Sequence, residues 1–393
     1  MNHSTSDQVA MNDLKSLKTV YENELFNNVI PFWEKHSVDR IHGGFWNCLD
    51  RDGSRYDTKK YMWLNGRQTW MFSKLYTNVE QNPRWLEIAG QGARFLREHA
   101  RRKDDSRVYF SMTEDGKPLQ LQRKIFSECF YIMAFAEYSR ASGDASYMTE
   151  ARELLEKVWE WSSDWTKVGR PSYAGQTPSQ MLAVPMILLN LIEEVAGDDR
   201  ETFRVEVEDC IRRMLLHVHP SDQTVYEIVT PEGGFIDSIE GRLLNPGHAI
   251  EAGWFLQHWA QYLNRPDLSA TATDMVRWSY RQGWDEEHGG ILYFLDSKGF
   301  SPTPLEWDMK LWWPHCEALY AHLLNYKLTG DVSDKDAFLE VHNYAFKHFS
   351  DPEHGEWFGY LNRRGEVTHR FKGGPYKGCF HVPRALWLVW KTL

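Results

Sequence analysis

The 393-residue chain contains no run of eighteen consecutive apolar residues, so no transmembrane helix is expected. It lacks a C-x-x-C pair. Its five cysteines (Cys48, Cys129, Cys210, Cys316 and Cys379) are odd in number and far apart, which suggests neither a zinc site nor a disulfide framework. Buried free thiols in a reducing compartment are the expectation. Basic runs are also missing. Lys plus Arg number 45 against 55 Asp plus Glu, a net charge of −10, which suits neither nucleic acid nor an anionic membrane. No G-x-x-x-x-G-K-[ST] phosphate loop is present. No Ser/Gly/Pro-rich stretch or charge block divides the chain. Residues 1–12 have no apolar core of the signal-peptide kind and read as a disordered tail. A cytoplasmic protein is expected, with residues 13–393 forming one domain.

What the chain has in excess is aromatic surface: 14% Phe, Trp and Tyr, including 18 tryptophans. The remainder, 42% hydrophobic and 25% charged, is ordinary for a globular protein. The excess is organised. Three segments, 39–44, 285–290 and 351–356, read D-x-x-H-G-[GE], and each is followed by an aromatic, β-prone run and a Gly-containing turn. Two further hairpins, 108–113 and 225–230, lack that opening. The turn glycines Gly53, Gly116, Gly234, Gly299 and Gly365 are spaced by 63, 118, 65 and 66 residues. The long gap is two periods, which places a degenerate copy near Gly175 and makes six units of about 65 residues.

Helical periodicity agrees. Six amphipathic helices (14–35, 84–101, 147–165, 201–217, 267–281, 335–349) alternate with six that are apolar all round (61–76, 125–142, 180–195, 247–263, 306–328, 381–393). A helix apolar on every side needs burial on every side. Six inner helices ringed by six outer ones predict an all-α fold, an (α/α)6 barrel with short β-hairpins at one rim. The repeated His42, His288 and His354 occupy equivalent places in different units. They would be spread around the rim, so they are expected to be turn residues and no metal site is expected.

A site in such a ring should lie where the units differ, at the inner-helix starts, which face one mouth. Asn245-Pro246-Gly247-His248 opens a helix with Pro in its first turn, and Glu251 shares a face with His248 at i+3. An imidazole there is a candidate general base, with Glu251 fixing its tautomer. His381 stands at the start of the last helix, after the glycine-rich 373–378. Two such bases on either side of a substrate suit removal of a C–H proton from one face and its return to the other. Arg67 at the start of an apolar helix is costly unless paired or facing a polar cavity, where it would hold an oxygen that gains charge. Tyr61 and Trp63 accompany it. The fifth unit offers Glu306, Asp308, Lys310, Trp312, Trp313, His315 and Glu317, of which Trp312 or Trp313 could stack on a sugar ring. Asn190 is a lone polar residue on an apolar helix, and Tyr376 and Lys377 lie in the last glycine-rich loop; with Tyr61, Trp63, Glu306, Trp312 and Trp313 they are the expected substrate-binding residues.

Taken together, the strings HGGFWNCLDRDGSRYDTKKYMWLNGRQTWM, KIFSECFY, LAVPMILLNL, GRLLNPGHAIEAGWF, LEWDMKLWWPH, DPEHGEWFGYLNRRGEV and KGGPYKGCFHVPR resemble the N-acylglucosamine 2-epimerase (renin-binding protein) family from about Phe32 to Leu393. The resemblance implies an (α/α)6 barrel, a homodimer, and interconversion of N-acetylglucosamine and N-acetylmannosamine beside sialic acid metabolism. It implies that His248 and His381 are the two acid/base histidines, that Arg67 holds the reacting oxygen, and that Glu251 partners the first histidine. It implies no consumed cofactor and ATP as an effector. Tyr376 stands where cellobiose epimerases of the wider superfamily tend to carry tryptophan, which argues against a disaccharide site. Three alternatives remain. One is an aldose–ketose isomerase working through the same enolate. Another is a glycoside hydrolase using Glu251 and Glu306. The third is a non-catalytic protein-binding partner.

Overall fold

The computed structural model describes residues 14–393; the tail expected over residues 1–12 lies outside the described residues. Twelve long helices alternate in role. The outer set is α1 (Leu14–Asn23, prolonged by π-helical Glu24–Val29 and by Ile30–His36), α3 (Pro83–Phe95, prolonged by Leu96–Ala100), α5 (Ala145–Ser163), α7 (Arg204–Leu215), α9 (Pro266–Gly283) and α11 (Val332–His348). The inner set is α2 (Met62–Asn78), α4 (Phe126–Ser142), α6 (Ala183–Ala196), α8 (Pro246–Tyr262), α10 (Trp312–Thr329) and α12 (His381–Thr392). The fifth inner helix starts at Trp312, not at Glu306 as the periodicity suggested. Residues 306–309 form a turn, in which Met309 N–H bonds to the Glu306 carbonyl, and a strand intervenes.

The polarity of each set follows its burial. Inner helices are buried along most of their length, and, Arg67 apart, their buried charges are paired, as Lys74 is with Glu137 and Glu194, and Glu128 with Arg107. Outer helices bury one stripe and hold their other face in water. Consecutive inner helices pack side by side from α2 to α12. Phe380, just ahead of α12, closes the ring against Trp70 of α2, with ring centroids 5.3 Å apart. Close approach demands glycine at Gly66, where a Cβ would stand 2.4 Å from the Phe130 carbonyl oxygen of α4.

The hairpins share one turn. Gly53, Gly116, Gly233, Gly299 and Gly365 all have φ between 79° and 88°, and each donates its N–H to the carbonyl three residues back. In the fourth unit the left-handed residue is therefore Gly233, not Gly234; either glycine of the pair could have filled the position. The hairpins also stitch the units together. The short strand ahead of an inner helix pairs with the hairpin of the next unit: Lys60–Tyr61 with Ser111–Met112, Gln180–Met181 with Ile228–Val229, Leu243–Leu244 with Leu295–Asp296, and Lys310–Leu311 with Tyr360–Leu361. The last seam joins Lys372 and Gly373 to Leu49 of the first unit by backbone hydrogen bonds. The third unit, where the repeat was degenerate, has no hairpin; residues 169–179 form an exposed loop there.

The D-x-x-H-G repeat is explained by lysines rather than by its histidines. Asp39, Asp285 and Asp351 are buried and paired with the equally buried Lys60 (2.6 Å), Lys310 (3.0 Å) and Lys372 (2.9 Å). The Lys60 and Lys310 ammonium groups also donate to the carbonyls of Gly43 and Gly289 within the motif. His42 is exposed, and His288 and His354 are partly exposed. These pairs peg the hairpins to the inner-helix starts, which fixes the rim around the mouth.

Candidate active site

At the mouth lies a cavity of about 660 Å³, walled by inner-helix starts and hairpins. Asn245 caps α8 by accepting the His248 N–H (3.2 Å), and Pro246 sets the first turn, so the imidazole of His248 is delivered to the rim of the cavity. Its Nδ1 meets the carboxylate of Glu227 at 3.1 and 3.2 Å. Burial alone would lower its pKa, but the Glu227 carboxylate, helped by Glu251, outweighs this and leaves it raised.

His381 opens α12 with its Nδ1 2.7 Å from Glu317. Here the balance falls the other way. Burial, then the cations Arg67 and Arg384, push the imidazole well below its ordinary pKa, against the pull of Glu251. Both histidines thus have Nδ1 engaged by a carboxylate and line one cavity with Nε2 uncommitted. The Trp313 indole lies between them, 5.3 Å from the His248 ring and 5.9 Å from the His381 ring.

Arg67 is buried and has no ion pair among the described residues. Its guanidinium stacks over Phe130 (4.1 Å), Trp63 (4.4 Å) and Phe380 (4.7 Å), and its Nε is unpartnered. Burial pushes its pKa down to about 9, with Glu251 opposing and Arg384 assisting. It is a charged donor at neutral pH that faces the cavity unspent. Below it, Arg384 donates to both Glu251 (2.6 Å) and Glu317 (2.7 Å), while Trp254 Nε1 donates to the second oxygen of Glu317 (2.9 Å).

Several expectations change accordingly. Glu251 is bound by Arg384 and is not the hydrogen-bonding partner of His248; Glu227, from the hairpin of the same unit, takes that place. Trp63, Asn190, Glu306, Trp312, Trp313 and Tyr376 do line the cavity with His248, His381, Arg67 and Glu251. Tyr61 does not. It packs against Phe110, and its N–H is used by Asn47. Lys377 is buried behind the wall, held by Glu356 (2.8 Å). The sequence points to Glu317 only as one of several polar residues of the fifth unit, and to Glu227 and Arg384 not at all. The available signal was a charge at an inner-helix position, as with Arg384 three residues after His381. Glu251, Glu317 and His381 are the one group of described residues close enough together to hold a cation. The Arg384 guanidinium already fills that role, so the donor set does not fit a metal.

The family profile described as N-acylglucosamine 2-epimerase (GlcNAc 2-epimerase) matches residues 44–385. An N-acylglucosamine 2-epimerase of Bos taurus is 45% identical over 381 residues, covering 95% of this chain and 90% of its own. One of Homo sapiens is 45% identical over 368 residues, covering 92% and 86%. Among solved structures, a cellobiose 2-epimerase from Bacillus thermoamylovorans superposes with a TM-score of 0.83 at 19% identity, over 96% of this chain and all of that one. That likeness carries the fold, an (α/α)6 barrel. On the profile match and the 45% identity, the chain belongs to the N-acylglucosamine 2-epimerase family.

Proposed function

We propose that the protein is an isomerase that interconverts N-acetylglucosamine and N-acetylmannosamine by moving the C2 proton between two histidines. The observation that carries this reading is the pair of carboxylate-backed imidazoles, biased in opposite directions, on either side of Trp313 in one cavity. Family membership supports the substrate.

The open-chain sugar presents a C1 carbonyl that makes the C2 proton acidic. In the favoured resting state His381 is neutral, with its Nδ1 proton held by Glu317, and its Nε2 takes the C2 proton. Charge then develops on the C1 oxygen. The unpaired Arg67 guanidinium, in a pocket of aromatic rings that excludes water, is placed to meet it. His248, kept charged by Glu227, returns a proton to the opposite face. Turnover exchanges the two protonation states, so the reverse reaction starts from the product form. Glu251 and Glu317 are salt-bridged to Arg384, which ties Glu251 down and disfavours the two-carboxylate hydrolase. Three further parts of the reading rest on family membership: ATP as an effector that is not consumed, a homodimer, and cytoplasmic work on the supply or removal of N-acetylmannosamine for sialic acid metabolism.

The test is incubation with N-acetylmannosamine in D2O, with and without ATP, followed by NMR. N-acetylglucosamine deuterated at C2 is the expected product. Ketose would point to an aldose–ketose isomerase, and no exchange at all would overturn the reading.

A further inference from the structure

The cavity wall contributed by α6 differs from the others. Ala183, Met186, Ile187 and Asn190 fall at i, i+3, i+4 and i+7, so one stripe of the helix faces the cavity. Three of the four are apolar. The fourth, Asn190, is 4% exposed, about two turns down the helix, and its carboxamide makes no hydrogen bond with any described residue. Its amide atoms open onto the cavity, where a ligand can meet them.

The proposed chemistry leaves this wall one task. C2 must lie between His248 on α8 and His381 on α12. The C1 oxygen belongs to Arg67 on α2, and the sugar's flat face to the tryptophans of α10. In the ring order, α6 stands opposite α12. The group attached to C2 is the acylamino group, and it leaves the reacting carbon toward the walls still unassigned. Of these, α6 is the one that combines an apolar surface with an amide facing the cavity. A carboxamide offers both donors and acceptor lone pairs. An acylamino group offers one N–H and one carbonyl, so the two can pair reciprocally, with the acyl carbons against Met186 and Ala183. Asn190 and Arg384 also line a second cavity of about 460 Å³ toward the opposite helix ends, so Asn190 forms part of the floor.

Resting on the epimerase reading, we infer that the α6 stripe is the acyl subsite, with Asn190 reading the amide and Met186 setting the acyl length. The test measures kcat and KM for N-acetyl-, N-propanoyl- and N-butanoyl-mannosamine in the full chain, its Asn190→Ala variant and its Met186→Ala variant. Asn190→Ala should raise KM for the N-acetyl sugar roughly 10- to 100-fold, with a smaller fall in kcat. Met186→Ala should shift the kcat/KM ratio of N-butanoyl to N-acetyl by about tenfold toward the longer chain. An unchanged KM in Asn190→Ala, or an unchanged acyl-length ratio in Met186→Ala, would overturn the subsite while the wild type still deuterates C2. Failure of the wild type to exchange C2 with any of the three sugars overturns the epimerase reading, and the subsite with it.

Discussion

Replacing Glu227 with Gln removes one charge and almost no volume, and it isolates what that carboxylate does to His248. The Glu227 oxygens lie 3.1 and 3.2 Å from Nδ1, and the imidazole side chain is 30% exposed. With charge centres about 4 Å apart and an effective dielectric near 20, the pair attracts by up to about 4 kcal/mol. Solvent at the exposed edge of the ring reduces this to roughly 1.5–3 kcal/mol. At 1.36 kcal/mol per unit, that is a displacement of about 1–2 pH units. The sign follows from the raised position of His248. Active enzyme carries one proton on the histidine pair. The alkaline limb of kcat/KM marks loss of that proton, chiefly from His248, and the acid limb marks addition of a second, chiefly to His381. Glu227→Gln should therefore move the alkaline limb down by about 1–2 units and leave the acid limb nearly fixed. The Gln carbonyl can still accept from Nδ1, so the tautomer survives and the plateau rate should fall by less than about tenfold. Rates measured by C2 deuterium exchange across the pH range, with ring titration of His248 by NMR, decide the matter. An alkaline limb that stays in place while the variant remains folded would refute the assignment of Glu227 as the group that keeps His248 charged.

Arg67→Ala should lower kcat on the order of 10²- to 10³-fold with a smaller effect on KM, because its demand arises only as charge develops; steady-state kinetics check this. Asp39→Asn leaves the Lys60 ammonium buried without its counter-charge and should destabilise the fold by about 3–5 kcal/mol in denaturant unfolding. A joint Asp39→Leu and Lys60→Met replacement should recover much of that loss. Gly66→Ala must push α2 away from the Phe130 carbonyl and should cost about 1–3 kcal/mol by the same assay. Dialysis against a chelator should leave the C2 exchange rate unchanged, since Arg384 already satisfies the Glu251 and Glu317 carboxylates.

The ring was legible because its causes are local. Each inner helix announces itself by being apolar on all sides, and each hairpin turn by a glycine that adopts positive φ. His248 and His381 stood out because they break the repeat at inner-helix starts. Their partners did not, because those pairings are set by the ring. Glu317 meets His381 from another unit, 64 residues away in sequence, and Glu227 reaches His248 from a hairpin on which nothing marks it apart from other exposed-looking acids. Glu251, next to His248 on the same helix, was the natural choice from spacing alone, yet a turn of helix directs it to Arg384. Lys377 and Tyr61 border glycine-rich or aromatic strings, which is what makes the sequence point to them as sugar-facing. Burial against Glu356 and against Phe110 takes them out of the wall.

The stitching of the rim sets an order of events. Lys60 and Met112 pair across 52 residues, and the other strand seams span similar intervals, so each can close as soon as its neighbouring unit exists. Leu49 and Gly373 are 324 residues apart, and loop closure over that distance costs roughly 1.5 kcal/mol more. This junction is correspondingly reinforced. Arg51 bridges to Asp351 at 2.8 Å, Trp357 Nε1 donates to Glu24 at 2.7 Å, and Trp33 donates to Glu356. His381 and Arg67 stand on the two helices that flank it. Until that junction closes, Arg67 and His381 are not held across one cavity from each other. Recovery of activity on refolding is therefore a clock for the final closure of the ring, and it should lag behind the recovery of helix.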